Sequence, residues 1–268
     1  MKAIKTLHGL ILTMLLFLMA SATYITSQNA LIDAQLSEFT GRRVLDTKEV
    51  ILNYGTKQKI TMYYKLERNQ GETDRGLFEG EGTKYFGKKG DILLTNQNPF
   101  AYDRNQDGRY DVDPPFVLGS FLSVVWGGHV VLVAEEDGSR IIHAVGSEIA
   151  LEDAAFSQAV RYDINNWHIL GGQIVGLRVK KAEPKDWDNA VAAAETFLGQ
   201  PFNYSLLFDR KNKKGCTDLV FMSYKEAGFS LDFDLGPVSG NDLILSPLTY
   251  VFLYAYTDQS GVRHIYYI

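Results

Sequence analysis

The sequence predicts an α+β fold. Two kinds of observation carry that reading. β-prone runs come in pairs that turn on glycine, as at Gly55-Thr56-Lys57 and Asp137-Gly138, which marks antiparallel hairpins. Two segments in the second half instead repeat their apolar residues at helical spacing. Trp187, Val191, Ala194 and Leu198 line one, and Leu219, Val220, Tyr224 and Ala227 line the other.

In chain order, Met1 to Ala22 has the form of a secretory signal peptide. Lys2 and Lys5 precede the apolar run Leu10 to Met19, and Ala20-Ser21-Ala22 offers a small-residue cleavage site. That run is shorter than the roughly 20 residues of a spanning helix, so cleavage is expected over retention. Export to the periplasm or the exterior follows, with an uncleaved N-terminal membrane anchor as the alternative. No other stretch is long and apolar enough to cross a bilayer, so no integral segment is expected once the leader is gone. The formal charge is −5, and loss of the two leader lysines makes the mature chain more acidic still. With no basic run interleaved with aromatics, nucleic acid is excluded as a partner. At 46% hydrophobic residues the chain has enough apolar mass for one sizeable core.

Residues 23–85 read as an N-terminal extension of unassigned role. Asn29 to Phe39 suits a helix, while Val50 to Tyr54 and Ile60 to Leu66 suit two strands before the polar, glycine-rich stretch Arg68 to Gly82. The main domain is expected over 86–268, opening with a strand at Gly90 to Leu94. An acidic loop follows, Asp103 to Asp113. Oxygen ligands at Asp103, Asn105, Asp107 and Asp111, with Gly108 between, follow calcium-loop spacing. Pro114 stands where the bidentate glutamate belongs, and Asp111 or Asp113 would have to compensate. The site is read either as a structural calcium or as a solvated Asx-rich turn. No histidine pair has zinc-like helical spacing.

Gly128 to Ala134 and Arg140 to Val145 read as the two strands of a hairpin about Asp137-Gly138, carrying His129 and His143. Opposed positions should sum to about 275, which sets His129 against a residue near 146, about three positions from His143. A different turn length or a bulge makes the two imidazoles diagonal neighbours on one face, and two unrelated histidines, one facing the core and one exposed, are the alternative. Glu148 to Ala159 reads as a short helix or crossover, and Ile174 to Val179 as a strand. Pro184 to Leu198 is a helix closed by Gly199, and Arg210 to Lys214 a basic loop. Ser246-Pro247 opens a short helix, and His264 to Ile268 ends the chain as a strand.

The sole cysteine, Cys216, falls where the last long helix begins, with Gly228 placed as its left-handed stop. Unpaired N–H groups and the positive dipole end at a helix start favour thiolate and can hold an oxyanion, and the nearby cations add to this. An unpaired cysteine in an exported chain suggests a reactive thiol. A buried cysteine acting as a small hydrophobe is the bland alternative.

Four segments together carry a family resemblance: Gly90-Asp91-Ile92-Leu93, Gly128-His129-Val130-Val131-Leu132-Val133, Ile141-Ile142-His143-Ala144, and Gly215-Cys216-Thr217-Asp218-Leu219-Val220. In this order they resemble the permuted branch of the NlpC-type, papain-like cysteine hydrolases, particularly the YiiX-like group. The resemblance spans about residues 86–268. It implies a circularly permuted papain-like domain, an antiparallel sheet packed against the cysteine helix. It further implies Cys216 as nucleophile, His129 as general base and His143 as the orienting third residue. A glutamate is frequent at the position of His143, Ser-Glu at that of Thr217-Asp218, and a tyrosine at that of Phe202. Tyr204, Thr217 and Trp126 are the expected substrate contacts. The implied activity is thiol-dependent cleavage of an amide bond by a peptidase or amidase, without a catalytic cofactor, with cell-wall peptide as substrate. The alternatives are hydrolysis or acyl transfer on an acylated amide or ester, as in lecithin retinol acyltransferase-like proteins, and a degenerate domain that only binds ligand.

Overall fold

The computed structural model describes residues 23–54, 57–73, 75, 85–96, 128–145, 160–167, 172–203, 209–232 and 238–268. The leader, the acidic loop 103–113, the crossover at 148–159, Trp126 and Tyr204 lie outside them. The architecture is α+β: helices with a single nine-stranded sheet, ordered β1-β2-β9-β8-β7-β3-β4-β5-β6. Its strands are β1 (Val44–Tyr54), β2 (Lys57–Leu66), β3 (Ile92–Thr95), β4 (His129–Val133), β5 (Arg140–Ala144), β6 (Val160–Ile164), β7 (Ile174–Val179), β8 (Thr249–Thr257) and β9 (Arg263–Tyr267). All neighbours pair antiparallel except β2 and β9, which run parallel.

The strands around the site are buried on both faces. Every residue of β3, β4 and β7 is inaccessible, which is why these segments read as continuous apolar runs rather than alternations. The hairpin turn between β4 and β5 relies on Gly138 at φ 74°, with the Asp137 carboxylate accepting the Ser139 N–H. An N-terminal helix over residues 23–40 buries Ile32, Leu36 and Phe39 as one stripe. It starts earlier than the apolar pattern alone predicts.

Two helices fix the site to the sheet. The helix Pro184–Glu195 starts with proline at its first turn and a reciprocal Glu183/Asp186 cap. Its α-helical part stops at Glu195, and the bonds Phe197 N–H to Ala194 O and Leu198 N–H to Glu195 O tighten the expected last turn. The cysteine helix, Cys216–Glu226, packs on it and on β4 and β5. It buries Leu219, Val220, Phe221 and Tyr224, each worth about 1.5–3 kcal/mol of transfer energy. It ends as its sequence predicts. Gly228 adopts φ 94°, Phe229 N–H bonds Tyr224 O and Gly228 N–H bonds Lys225 O. The Phe229 ring meets Tyr224 edge-on. These are the two bonds and the apolar contact of a Schellman stop.

Both helices meet the sheet at Gly90. The Tyr224 hydroxyl donates to the Gly90 carbonyl, and a Cβ on Gly90 would lie 2.8 Å from the Trp187 side chain.

Three expectations differ. The short helix precedes Ser246, spanning Gly240–Leu245 with Ser239 as its cap, because the Ser239/Asp242 capping box outcompetes the Ser-Pro start. The segment after it is β8. β6 also forms where no strand is expected, and β1 begins at Val44 rather than Val50.

Candidate active site

Cys216 is the first residue of its helix, after Gly215 in an extended conformation. The residue keeps some exposure, yet its sulfur lies inside, near the backbone N–H of Val130. The sheet explains that contact. Ala134 N–H donates to Arg140 O on β5, and N–H directions alternate along a strand. The N–H of Val130 therefore also points towards β5. Among the described residues the β4–β5 pairing ends at Leu132↔Ile142, short of Val130, so the thiol can approach this N–H. Val130 is the residue after His129, which puts the helix start beside the β4 histidine.

His129 and His143 come together. The register sums to 274, so the two positions differ by an even offset and share a face. His129 Nε2 lies 2.9 Å from His143 Nδ1. Trp167, buried and not singled out by sequence, stacks at 6.1 Å on the His129 ring. Among the described residues His129 uses Nε2 for its hydrogen bond, leaving Nδ1 to receive a proton. On the far side, His143 Nε2 is buried without a hydrogen-bond partner among the described residues, 3.6 Å from Asp163 Oδ2 on β6.

The electrostatics at rest run against the local expectation at the helix start. Burial pushes the Cys216 thiol up, and the N–H groups of Val130, Thr217 and Cys216 offset this only in part, with Asp218 adding to the rise. Burial holds His129 at about 3, helped by His143 and Arg161. Burial and then Arg161 hold His143 at about 4. The resting site is thus a neutral thiol beside neutral imidazoles.

The basic loop does not reverse this. Arg210 is committed to Asp218, Nη2 to Oδ1 at 2.6 Å. Lys214 is buried, its ammonium donating to the carbonyls of Arg210 and Lys211 and lying over the Phe197 ring. These cations build the turn into the helix rather than reaching the sulfur. Thr217, expected at substrate, donates its hydroxyl to Val238 O at 2.7 Å. His264 is remote in role, bonded to Asp258 and Tyr64.

No group of three or more His, Cys, Asp or Glu among the described residues is placed to hold a metal. No helix among them is long and apolar enough to cross a membrane.

No protein-family model matches the chain, and no curated protein matches its sequence. Among solved structures it is similar to the metalloprotein YiiX from Escherichia coli O157:H7. The identity is 14% and the TM-score 0.42, over 63% of this chain and 98% of that one. At that distance the likeness assigns no residue a role.

Proposed function

We propose that the chain is an exported thiol hydrolase that cleaves an amide bond, with cell-wall peptide as its substrate class. What supports this reading is the 2.9 Å contact between His129 and His143 together with a cysteine helix start that reaches Val130, the residue after His129. Cys216 opens a helix against Val130, and the neighbouring His129 is oriented through Nε2 by His143 at 2.9 Å. Because thiol and imidazole are both neutral at rest, the reaction starts by general-base transfer rather than from a preformed ion pair. His129 Nδ1 takes the thiol proton as sulfur bonds to the carbonyl carbon. The N–H groups at the helix start stabilise the charge as it passes from sulfur to oxygen. His129 then protonates the leaving amine and the C–N bond breaks. Water, deprotonated by His129, attacks the thioester, releasing the acid and restoring the thiol.

The test is hydrolysis of a cell-wall peptide by the wild type and by Cys216→Ala. The wild type should turn over, and the variant should stay folded and inactive. Full activity in the variant would end the proposal.

One observation favours a second reading, a ligand-binding domain with a retired site. Burial moves the thiol up and the imidazoles down, which is opposite to activation. The two readings part on alkylation of Cys216 at pH 6, rapid for an activated thiol and slow for a buried structural one.

A further inference from the structure

We infer that Asp163 is a positioning residue that completes a proton-sharing chain, Cys216–His129–His143–Asp163, by accepting a hydrogen bond from His143. This rests on the thiol-hydrolase reading and supplies the carboxylate that the Cys-His-His constellation lacks.

The inference follows from where protons must sit. For His129 to accept from the thiol at Nδ1, its own proton must be on Nε2, donated to His143 Nδ1 across the 2.9 Å contact. His143 then accepts at Nδ1 and must carry its proton on Nε2. That Nε2 is shut off from solvent and has no hydrogen-bond partner among the described residues. An unmet buried donor is unfavourable, and a nearby acceptor resolves it.

Asp163 is so placed. The β5–β6 register pairs Ile141 with Asp163 and His143 with Arg161, which makes Asp163 a diagonal neighbour of His143 on one face. Its Oδ1 accepts the Ile164 N–H at 2.8 Å. Its Oδ2 is directed at His143 Nε2 from 3.6 Å, somewhat beyond hydrogen-bond length. The side chain is 45% exposed, and a shift of under about 1 Å closes the bond. Arg161 Nη2, 3.6 Å from the same oxygen, holds the carboxylate on this side.

Among the described residues the charged and titratable groups around the pair are few. β6 presents Arg161 and Asp163, β4 and β5 the two histidines, and the cysteine helix Cys216 and Asp218. Arg161 opposes a cationic imidazole, and Asp163 answers it. When the thiol proton arrives on His129, the positive charge is shared with His143 and faced by the Asp163 carboxylate. The carboxylate orients the chain of imidazoles rather than taking their proton, and no proton leaves the chain until the amine departs.

The experiment uses the full chain and the variants Asp163→Asn, Asp163→Ala and Asp163→Glu, with Cys216→Ala as control. Nitrogen-15 NMR of the histidine rings reads the tautomers directly, and iodoacetamide alkylation of Cys216 from pH 5 to 9 reads thiol activation. In the wild type, His143 should carry its proton on Nε2. Asp163→Ala should lose or redistribute it. Asp163→Asn should keep it through the amide oxygen while slowing alkylation near pH 7 by roughly tenfold, about one unit of imidazole basicity for a half-exposed carboxylate. Asp163→Glu should recover part of the rate. A His143 proton on Nδ1 in the wild type, or tautomer and rate profile unchanged in both Asn and Ala variants, overturns the chain. A wild-type thiol as inert as an ordinary buried cysteine, with the His143 tautomer still dependent on Asp163, instead strikes the hydrolase reading and leaves the chain standing.

Discussion

Gly90→Ala should be far more damaging than its single added methyl suggests. Two costs coincide at this residue. Its φ of 82° lies where L side chains are strained, worth about 1 kcal/mol. The new Cβ would also stand 2.8 Å from Cβ and Cγ of Trp187 and 2.9 Å from Cδ1. Trp187 has no easy retreat, because the Arg75 guanidinium sits 3.5 Å over its ring. Overpacking of this kind adds about 2 kcal/mol. The total is about 3 kcal/mol, a fall in melting temperature of roughly 6–12 °C for a chain this size. Gly228→Ala isolates the first cost: its φ is 94° with nothing within 4 Å of the added carbon, so about 1 kcal/mol is expected. Urea midpoints at constant slope and thermal melts of both variants measure the difference. Equal losses in the two would refute the claim that close approach to Trp187 fixes the helices to the sheet.

Stability should also depend on pH through the paired imidazoles. His129 and His143 titrate at about 3 and about 4 in the folded chain, below the ordinary 6.5. Between those values the unfolded chain binds more protons, so stability is full above about pH 6.5 and falls on acidification, by up to ~1.4 kcal/mol per pH unit for each imidazole. Urea unfolding at pH 7, 6 and 5 reads the slope. His143→Gln should roughly halve it, and Asp163→Asn, removing the carboxylate beside His143, should leave or steepen it. A flat profile over that range contradicts the buried neutral pair. For the acidic loop, 1 mM calcium against chelator should raise the melting temperature by roughly 3–6 °C if the site binds near 10⁻⁴ M, and Asp107→Ala should erase the effect. A melt indifferent to calcium removes calcium from the account.

How far the sequence is legible depends on the range of the interaction. The hairpin about Gly138 is encoded within a short span, so the approach of His129 to His143 can be read from residue arithmetic to within one position. The stop at Gly228 is equally local. Cys216 shows the limit. Helix-start physics predicts a lowered thiol, but burial against β4 is a tertiary effect and moves it the other way. The approach of Asp163 to His143 is not legible because Asp163 belongs to β6. Its alternating Val160, Tyr162 and Ile164 form a signal too short to stand out. β8 differs: its nine residues, rich in aromatic and β-branched side chains, carry a strand signal, which the helix-start reading of Ser246-Pro247 obscures. The parallel partnership of β2 and β9 has no local signature at all.

That partnership has a consequence for how the chain is made. Tyr64 on β2 and His264 on β9 are separated by 200 positions yet touch through hydroxyl and ring nitrogen. During synthesis, the β1–β2 hairpin emerges early and waits roughly 10–40 s, at about 5–20 residues per second, for the strand that will cover its inner edge. Until then a row of backbone donors and acceptors stands open to any passing polypeptide. A chain stalled ahead of Arg263 would leave β2 without its β9 neighbour.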